Sequence, residues 1–222
     1  MVKIYAANVQ NLPDPKDNLW IMEGLTEERK NKILGHKQEL HRKQSLGAGL
    51  LLKQVLEQED MNVSEICYGS HGKPKLAGIY FNLSHSDNYV VCTISDKPVG
   101  CDIQKIGKLR DKMAERYFTE KEAAYLKTLD DEKRCEEFYR IWTIKESYVK
   151  MTGEGLALGL NKIECRFENK ENADDNGQNH VSIYRDGVKQ KCYIREYELL
   201  EYKVTVCAEE AVFDSDIIKI KL

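Results

Sequence analysis

Apolar and polar residues alternate in several short stretches of the chain, as expected for strands with one buried face. Residues 2–9 alternate in this way. Two stretches rich in β-branched residues, 89–95 and 99–106, flank an Asp-Lys-Pro segment, and this arrangement predicts a β-hairpin. Further strands are predicted at residues 162–168, 181–184, 189–198, 203–208 and 217–222.

Elsewhere the apolar residues recur every three or four positions, the period of a helix with one buried face. Residues 36–59 and 132–151 show this period. The first stretch contains Gly47 and Gly49, which disfavour a helix relative to alanine. Their presence predicts close packing against another backbone or a ligand.

Helix ends are also marked in the sequence. Thr26 precedes two glutamates and predicts an N-cap, because a side-chain oxygen can accept from a free backbone N–H. Thr119 and Glu122 have the spacing of a capping box, which predicts a helix through about residue 129. Gly153 predicts the end of the helix that begins near residue 132.

The order of elements is strand, helices and hairpin, followed by helices and strands again. This order predicts an α+β protein with two halves, residues 1–103 and 104–222. The stretches 86–94 and 200–208 are similar to each other and are each predicted to end a half. A polar stretch at 169–179 predicts a surface loop.

Composition excludes several classes of protein. Of the 222 residues, 41% are hydrophobic and 32% are charged, which is typical of a folded globular chain with a solvated surface. No apolar run approaches the ~20 residues that cross a bilayer, so no membrane association is expected. The first residues lack the apolar block of a signal peptide, so we expect a cytoplasmic protein.

Cysteine spacing and net charge exclude further classes. The seven cysteines form no C-x-x-C pair, which predicts reduced, buried thiols. A net charge of −3 argues against nucleic-acid binding. The charge is uneven, however, because six Lys or Arg residues and two His lie between Arg29 and Lys43. This segment is either a solvated helix face or an anion-binding patch.

Three local patterns could carry chemistry. Residues 82–86, Asn-Leu-Ser-His-Ser, predict a polar turn that could cradle a phosphate, although an ordinary turn is the alternative. Strand alternation places Asp102 and Gln104 on one face, where a buried carboxylate needs a cation, a metal or solvent. Helical spacing places Glu146 and Lys150 on one face, either as a surface ion pair or as part of a site.

A carboxylate from a strand and another from a helix suit Mg²⁺, which commonly takes one or two carboxylates together with waters and phosphate oxygens. Together with the basic segment and the polar turn, they predict a site for magnesium and a pyrophosphate.

In sequence order, four motifs resemble those of the Sfp-type 4′-phosphopantetheinyl transferases. They are residues 82–86, the Val-Gly-Cys-Asp-Ile motif at 99–103, the Phe-Thr-Glu-Lys-Glu motif at 118–122 and the Trp-Thr-Ile-Lys-Glu-Ser motif at 142–147. The resemblance implies two similar α+β halves related by a pseudo-twofold axis, with coenzyme A bound in the cleft between them. It also implies transfer of the phosphopantetheine arm of coenzyme A to a serine of an acyl or peptidyl carrier protein, with release of 3′,5′-ADP.

The resemblance further implies roles for individual residues. Asp102, Gln104 and Glu146 would form the Mg²⁺ site. Glu146 would also act as the base, while Lys145 and Lys150 would offset phosphate charge. The expected coenzyme A contacts are Lys30, Lys43, Lys73, Ser84, His85 and Lys150. Because two halves within one chain complete the cleft, we expect a monomer.

Gln104 departs from the pattern of the family, which usually has Glu at this position. An amide oxygen can ligate Mg²⁺ but adds no charge, so a compensating role for Glu122 is an alternative. The same departure keeps open a non-catalytic coenzyme A or nucleotide-binding module. A metal-dependent phosphohydrolase is a third interpretation.

Overall fold

The computed structural model describes residues 1–68, 74–155, 158–167 and 181–222. The helices are α1 Glu27–Gly35, α2 Glu39–Gln58, α3 Asp111–Tyr117, α4 Glu120–Lys127 and α5 Asp131–Thr152. The strands are β1 Lys3–Asn8, β2 Cys67–Tyr68, β3 Pro74–Lys75, β4 Tyr80–Ser86, β5 Tyr89–Ser95, β6 Val99–Lys105, β7 Ile163–Phe167, β8 Val181–Arg185, β9 Val188–Lys189, β10 Tyr193–Leu199, β11 Tyr202–Ala208 and β12 Ile218–Ile220. The predicted α+β class is confirmed.

Two sheets form the centre of the molecule. One has the strand order β12-β1-β5-β4 and the other β10-β11-β6. β1 is buried on both faces: Tyr5 and Ala7 pack with α2, whereas Ile4 and Ala6 face the second sheet. Apolar residues of the second sheet, including Ile103 and Val204, complete this shared core.

The last described strand returns to the first sheet, where β12 pairs in parallel with β1. The boundary predicted between residues 103 and 104 falls inside β6, which pairs with β11. The two halves are therefore better described by the two sheets than by a boundary at one position in the sequence. The pseudo-twofold relation between the halves stays a prediction.

The predicted hairpin between residues 89–95 and 99–106 is wrong. β5 pairs with β1 and β4, whereas β6 pairs with β11. The hairpin is instead formed by β4 and β5, with Asp87 at the turn in a left-handed conformation (φ 47°) that Asp tolerates. The Asp-Lys-Pro connection therefore leads from β5 in the first sheet to β6 in the second sheet and does not form a hairpin turn.

Glycine allows α5 to approach β6 closely. A Cβ atom on Gly100 would lie 2.2 Å from the carbonyl oxygen of Ser147 and 2.3 Å from the backbone nitrogen of Met151. Backbone atoms cannot move aside as a flexible side chain can, so the helix can take this position only against a glycine. The contact brings the functional face of α5 against the strand that carries Asp102.

The predicted close packing at Gly47 is confirmed, although its partner is a side chain. A Cβ at this position would lie 2.2 Å from Cγ1 of Val9. At Gly49, a Cβ would come within 3.2 Å of Cγ of Arg29. Both contacts hold α2 close to its neighbours within the first half.

Most predictions about local structure and thiols are confirmed. Thr26 and Thr119 cap α1 and α4, and Glu122 completes the capping box of α4. All seven cysteines are free thiols, as predicted, but only Cys92, Cys101, Cys165 and Cys207 are buried. Cys135 and Cys192 are partly buried and Cys67 is exposed, contrary to the prediction. Within the described ranges, the helices are too short or too polar to cross a membrane.

Candidate active site

A buried carboxylate on β6 is the centre of the site. Asp102 is almost fully buried, and its Oδ1 accepts hydrogen bonds from the Ser84 hydroxyl at 2.7 Å and the Lys150 ammonium at 2.5 Å. Its Oδ2 accepts from the Gln104 amide at 3.2 Å. The predicted placement of Asp102 and Gln104 on one face is therefore confirmed, and the carboxylate has the cation that its burial requires.

Glu146 and Lys150 of α5, which helical spacing predicted to share one face, both interact electrostatically with Asp102. Burial raises the pKa of the half-buried Glu146, and the negative charge of Asp102 raises it further. Burial lowers the pKa of Lys150, but the attraction of Asp102 outweighs this and the net shift is upward. The site therefore contains two mutually repelling carboxylates and one ammonium group that interacts with both, an arrangement that favours an added cation.

Residues 82–86 form most of strand β4 rather than the predicted polar turn. The Ser84 side chain consequently points toward β6, where its oxygen accepts from Lys150 at 2.9 Å while its hydroxyl donates to Asp102. His85, the next residue, points to the opposite face. One strand therefore supplies Ser84 to the carboxylate site and His85 to a neighbouring pocket.

Lys145 lies in a different environment from the one we predicted. Its ammonium is fully buried and donates to Glu122 at 2.5 Å, to the Leu160 carbonyl at 3.1 Å and to the Tyr117 carbonyl at 3.4 Å. These three acceptors match its three N–H donors. The arrangement argues against direct phosphate contact, because Lys145 would have to leave its partners to reach a ligand.

Glu122 contacts three different elements of the second half. Its Oε2 accepts from Thr119 and Lys145, and its Oε1 accepts from the backbone N–H of Cys165 at 2.8 Å. Both oxygens therefore hold α4, α5 and β7 together. This geometry gives Glu122 a structural role, and its role in compensating for Gln104 stays a prediction.

A basic pocket of about 440 Å³ lies beside the carboxylate site. Its walls include Arg29 and Lys32 of α1, His36, Ser45 of α2 and His85 of β4. Ser45 Oγ is buried and lacks a hydrogen-bond partner within the described residues, as expected of a pocket that takes a polar ligand. Arg29, Lys32 and His36 belong to the basic segment for which an anion-binding patch was one of two interpretations, although none of them was predicted individually as a contact. Ser45 was not predicted.

Electrostatics connect this pocket with the carboxylates. Burial, together with the nearby charges of Lys150 and Lys32, lowers the pKa of His85 to about 4. At neutral pH the imidazole is therefore uncharged, and an incoming anion would favour its protonation. Lys150 and Asp102 of the carboxylate site thus interact electrostatically with a residue that lines the pocket.

Two predicted contacts lie outside the walls of this pocket. Lys30 pairs with Glu27 at 2.8 Å, and Lys43 pairs with Glu39 at 2.8 Å. Both pairs lie on helix surfaces, as the alternative of a solvated face predicted. Lys73, the third predicted contact in this region, lies outside the described residues.

The residues present fit a magnesium ion. No three His, Cys, Asp or Glu side chains cluster as a metal site in the part of the chain that the structure describes. Mg²⁺ does not need such a set, because it retains waters and binds phosphate oxygens beside one or two carboxylates. Asp102 and Glu146 would supply those carboxylates, while Gln104 would contribute at most an amide oxygen.

Comparison with known proteins identifies the class. Residues 98–207, which include Asp102 and Glu146, match the model of the 4′-phosphopantetheinyl transferase superfamily. The chain is 31% identical to the 4′-phosphopantetheinyl transferase Sfp of Bacillus subtilis, covering 97% of this chain and 96% of that protein. It is 35% identical to the transferase gsp of Aneurinibacillus migulanus, covering 73% and 67%.

A solved structure of a holo-(acyl-carrier-protein) synthase from Bacillus anthracis, in complex with CoA (3′,5′-ADP), is also similar. It is 24% identical and covers 52% of this chain and 96% of that one, with a TM-score of 0.39. The sequence relationships are the stronger finding, because they extend over nearly the whole chain. This protein belongs to the 4′-phosphopantetheinyl transferase superfamily and is an enzyme of that class.

Proposed function

We propose that this protein transfers the 4′-phosphopantetheine arm of coenzyme A to a serine of an apo acyl or peptidyl carrier protein, with Mg²⁺ as cofactor and 3′,5′-ADP as product. One observation carries the proposal: Asp102 and Glu146 lie beside a basic pocket that has the charge to hold a nucleotide phosphate. We further propose that the enzyme acts as a cytoplasmic monomer.

Coenzyme A would lie across both parts of the site. Arg29 and Lys32 give the pocket a positive character that suits the 3′-phosphate of the nucleotide, and His85 would gain a proton as this anion binds. Lys150 would then turn from Asp102 to the pyrophosphate, because its ammonium donates to Asp102 and also acts electrostatically on His85 of the pocket. The Lys150 ammonium would therefore have a negatively charged partner both before and after coenzyme A binds.

Asp102 and Glu146 would hold Mg²⁺, which would supply positive charge against the pyrophosphate and the leaving 3′,5′-ADP. Ser84 and Gln104 orient the Asp102 carboxylate from opposite sides, since each donates to a different oxygen. The strand therefore presents the carboxylate in a fixed position.

Glu146 is the proposed base. It would take the proton of the carrier serine, directly or through a water, as the hydroxyl oxygen attacks the β-phosphorus and 3′,5′-ADP leaves. A pKa raised by burial and by Asp102 brings Glu146 closer to neutrality, where a general base is most effective. No covalent enzyme intermediate is required.

The decisive experiment combines the protein with coenzyme A, Mg²⁺ and an apo carrier protein. Mass spectrometry should show a carrier that has gained one phosphopantetheine arm, and chromatography should show an equal amount of 3′,5′-ADP. An unchanged carrier would support a binding module that lacks turnover. Release of 3′,5′-ADP without a carrier would support a phosphohydrolase instead.

A second experiment tests the pocket. His85→Ala should weaken coenzyme A binding by about tenfold, the effect of one charge-assisted phosphate contact. Dephospho-coenzyme A lacks the 3′-phosphate, so it should bind the variant and the wild type almost equally. An undiminished difference between the two proteins would place the 3′-phosphate elsewhere.

A further inference from the structure

The two sheets meet along two edge strands that share no backbone pairing. β4 ends the first sheet, and β6 ends the second. The strands run side by side in the same direction, but β4 pairs only with β5, and β6 only with β11, within the described residues. The backbone N–H groups on the open edge of β6 therefore need other partners.

Side chains of β4 provide those partners. Asn82 Oδ1 accepts from the N–H of Cys101 at 3.0 Å, and Ser86 Oγ accepts from the N–H of Lys105 at 3.0 Å. Between them, Ser84 Oγ lies 3.4 Å from the N–H of Ile103. Side chains of alternate β4 residues therefore accept from backbone N–H groups of alternate β6 residues. The two residues of each pair are 19 positions apart in the sequence.

This side-chain ladder, formed by Asn82, Ser84 and Ser86, has a defined register. Because strand side chains alternate with a period of two, a shift of one residue would turn all three acceptors away from β6. A shift of two would separate Ser84 from Asp102, to which it donates at 2.7 Å. The register of the ladder therefore determines which residue of β4 faces the carboxylate.

The ladder also lies between the two parts of the proposed site. The basic pocket is built from the first half, by residues of α1, α2 and β4. The carboxylates belong to β6 and α5, which pack together through Gly100 in the second half. A ligand held at both ends consequently depends on how well the ladder aligns β4 with β6.

We propose that Asn82 and Ser86 are positioning residues whose hydrogen bonds to β6 couple the nucleotide pocket to the carboxylate site. The inference rests on the proposed function, since it assumes coenzyme A at the pocket and Mg²⁺ at the carboxylates. Ser86 lines neither of these, so its effect must pass through the backbone of β6. Loss of the Ser86 hydrogen bond should leave each half folded. It should reduce the effect that a ligand bound at one site has on the affinity of the other site.

The measurable quantity is the factor by which Mg²⁺ increases the affinity for coenzyme A. Calorimetric titration of the whole protein with coenzyme A, with and without saturating Mg²⁺, gives this factor without a carrier protein. In Ser86→Ala it should fall by at least about threefold, within the range of one lost hydrogen bond. The affinity without Mg²⁺ should stay within about twofold of the wild type, since the pocket is unchanged.

Two further variants distinguish positioning from general stability. Ser86→Thr keeps the hydroxyl and should restore the factor. Ser95→Ala removes a buried hydroxyl that lies outside the ladder and accepts from the N–H of Lys97 at 3.2 Å. This variant should leave the factor unchanged. If Ser86→Ala does not fold, Ser86→Cys provides a poor acceptor of similar size.

The possible results separate the two hypotheses. A wild-type factor in Ser86→Ala, or an equal decrease in Ser86→Ala and Ser95→Ala, overturns the positioning role alone. A wild-type protein whose coenzyme A affinity does not respond to Mg²⁺ overturns the proposed function as well.

Discussion

Helix α5 carries two lysine–carboxylate pairs with nearly identical geometry and different surroundings. Lys145 contacts Glu122 at 2.5 Å, and Lys150 contacts Asp102 at the same distance. The side chains of the first pair are 0% and 5% exposed, whereas Lys150 is 27% exposed beside a 2% exposed Asp102. Distance alone therefore does not distinguish a structural pair from a functional one.

The difference lies in the remaining partners of each pair. Lys145 and Glu122 are saturated by hydrogen bonds to α4, β7 and nearby carbonyls. Lys150 reaches solvent and adjoins Glu146, a second carboxylate that raises its pKa. A buried pair whose hydrogen bonds are all made within the protein stabilises the fold. By contrast, a lysine that reaches solvent and adjoins two carboxylates can move from its partner to a ligand.

The largest expected effect comes from breaking the buried pair. Glu122→Gln should lower the free energy of unfolding by about 3–5 kcal/mol, because it leaves the Lys145 ammonium buried without its counter-charge. Urea denaturation measures the change. The double variant Glu122→Leu with Lys145→Met removes both charges and should recover most of the loss. A decrease below 1 kcal/mol in Glu122→Gln would show that the pair is not structural.

Breaking the open pair should affect activity instead. Asp102→Asn should lower kcat/KM for carrier modification by about 100-fold or more, because it removes one of the two carboxylates proposed to hold the Mg²⁺ that would stabilise the transferring phosphate. The variant keeps the size of the side chain, so its urea denaturation curve should shift much less than that of Glu122→Gln. Near-wild-type transfer would contradict the metal assignment.

The lysine of the open pair should have a smaller effect than its carboxylate. Lys150→Met should weaken coenzyme A binding by about tenfold, the contribution of one charged hydrogen bond to phosphate. Lys145→Met serves as the control, studied where both variants remain folded by circular dichroism. Its coenzyme A affinity should match the wild type, and an equal weakening in both variants would contradict the distinction between the pairs.

The smallest expected effect comes from adding charge to the open pair. Gln104→Glu places a third carboxylate beside Asp102 and should lower the Mg²⁺ concentration for half-maximal transfer by roughly two- to fivefold, as expected for one partly solvated charge pair. Superimposable Mg²⁺ titrations of variant and wild type would mean that residue 104 does not contact the metal.

Local signals in the sequence predicted the elements that depend on neighbours along the chain. Thr119, Glu122 and Gly153 mark helix ends because capping bonds and left-handed backbone involve residues only a few positions apart. Alternation and helical spacing likewise placed Asp102 beside Gln104, and Glu146 beside Lys150. These relations follow from the geometry of a single strand or helix, so they needed no knowledge of the fold.

Tertiary structure alone decided the choice of partners. β6 pairs with β11, about a hundred residues later, rather than with the adjacent β5, because long-range packing outweighs the short connection. α5 is packed on more than one side, so helical period could not reveal that Lys145 faces Glu122 while Lys150 faces Asp102. The basic pocket likewise exists only where α1, α2 and β4 meet, and no local pattern specifies how separate elements come together.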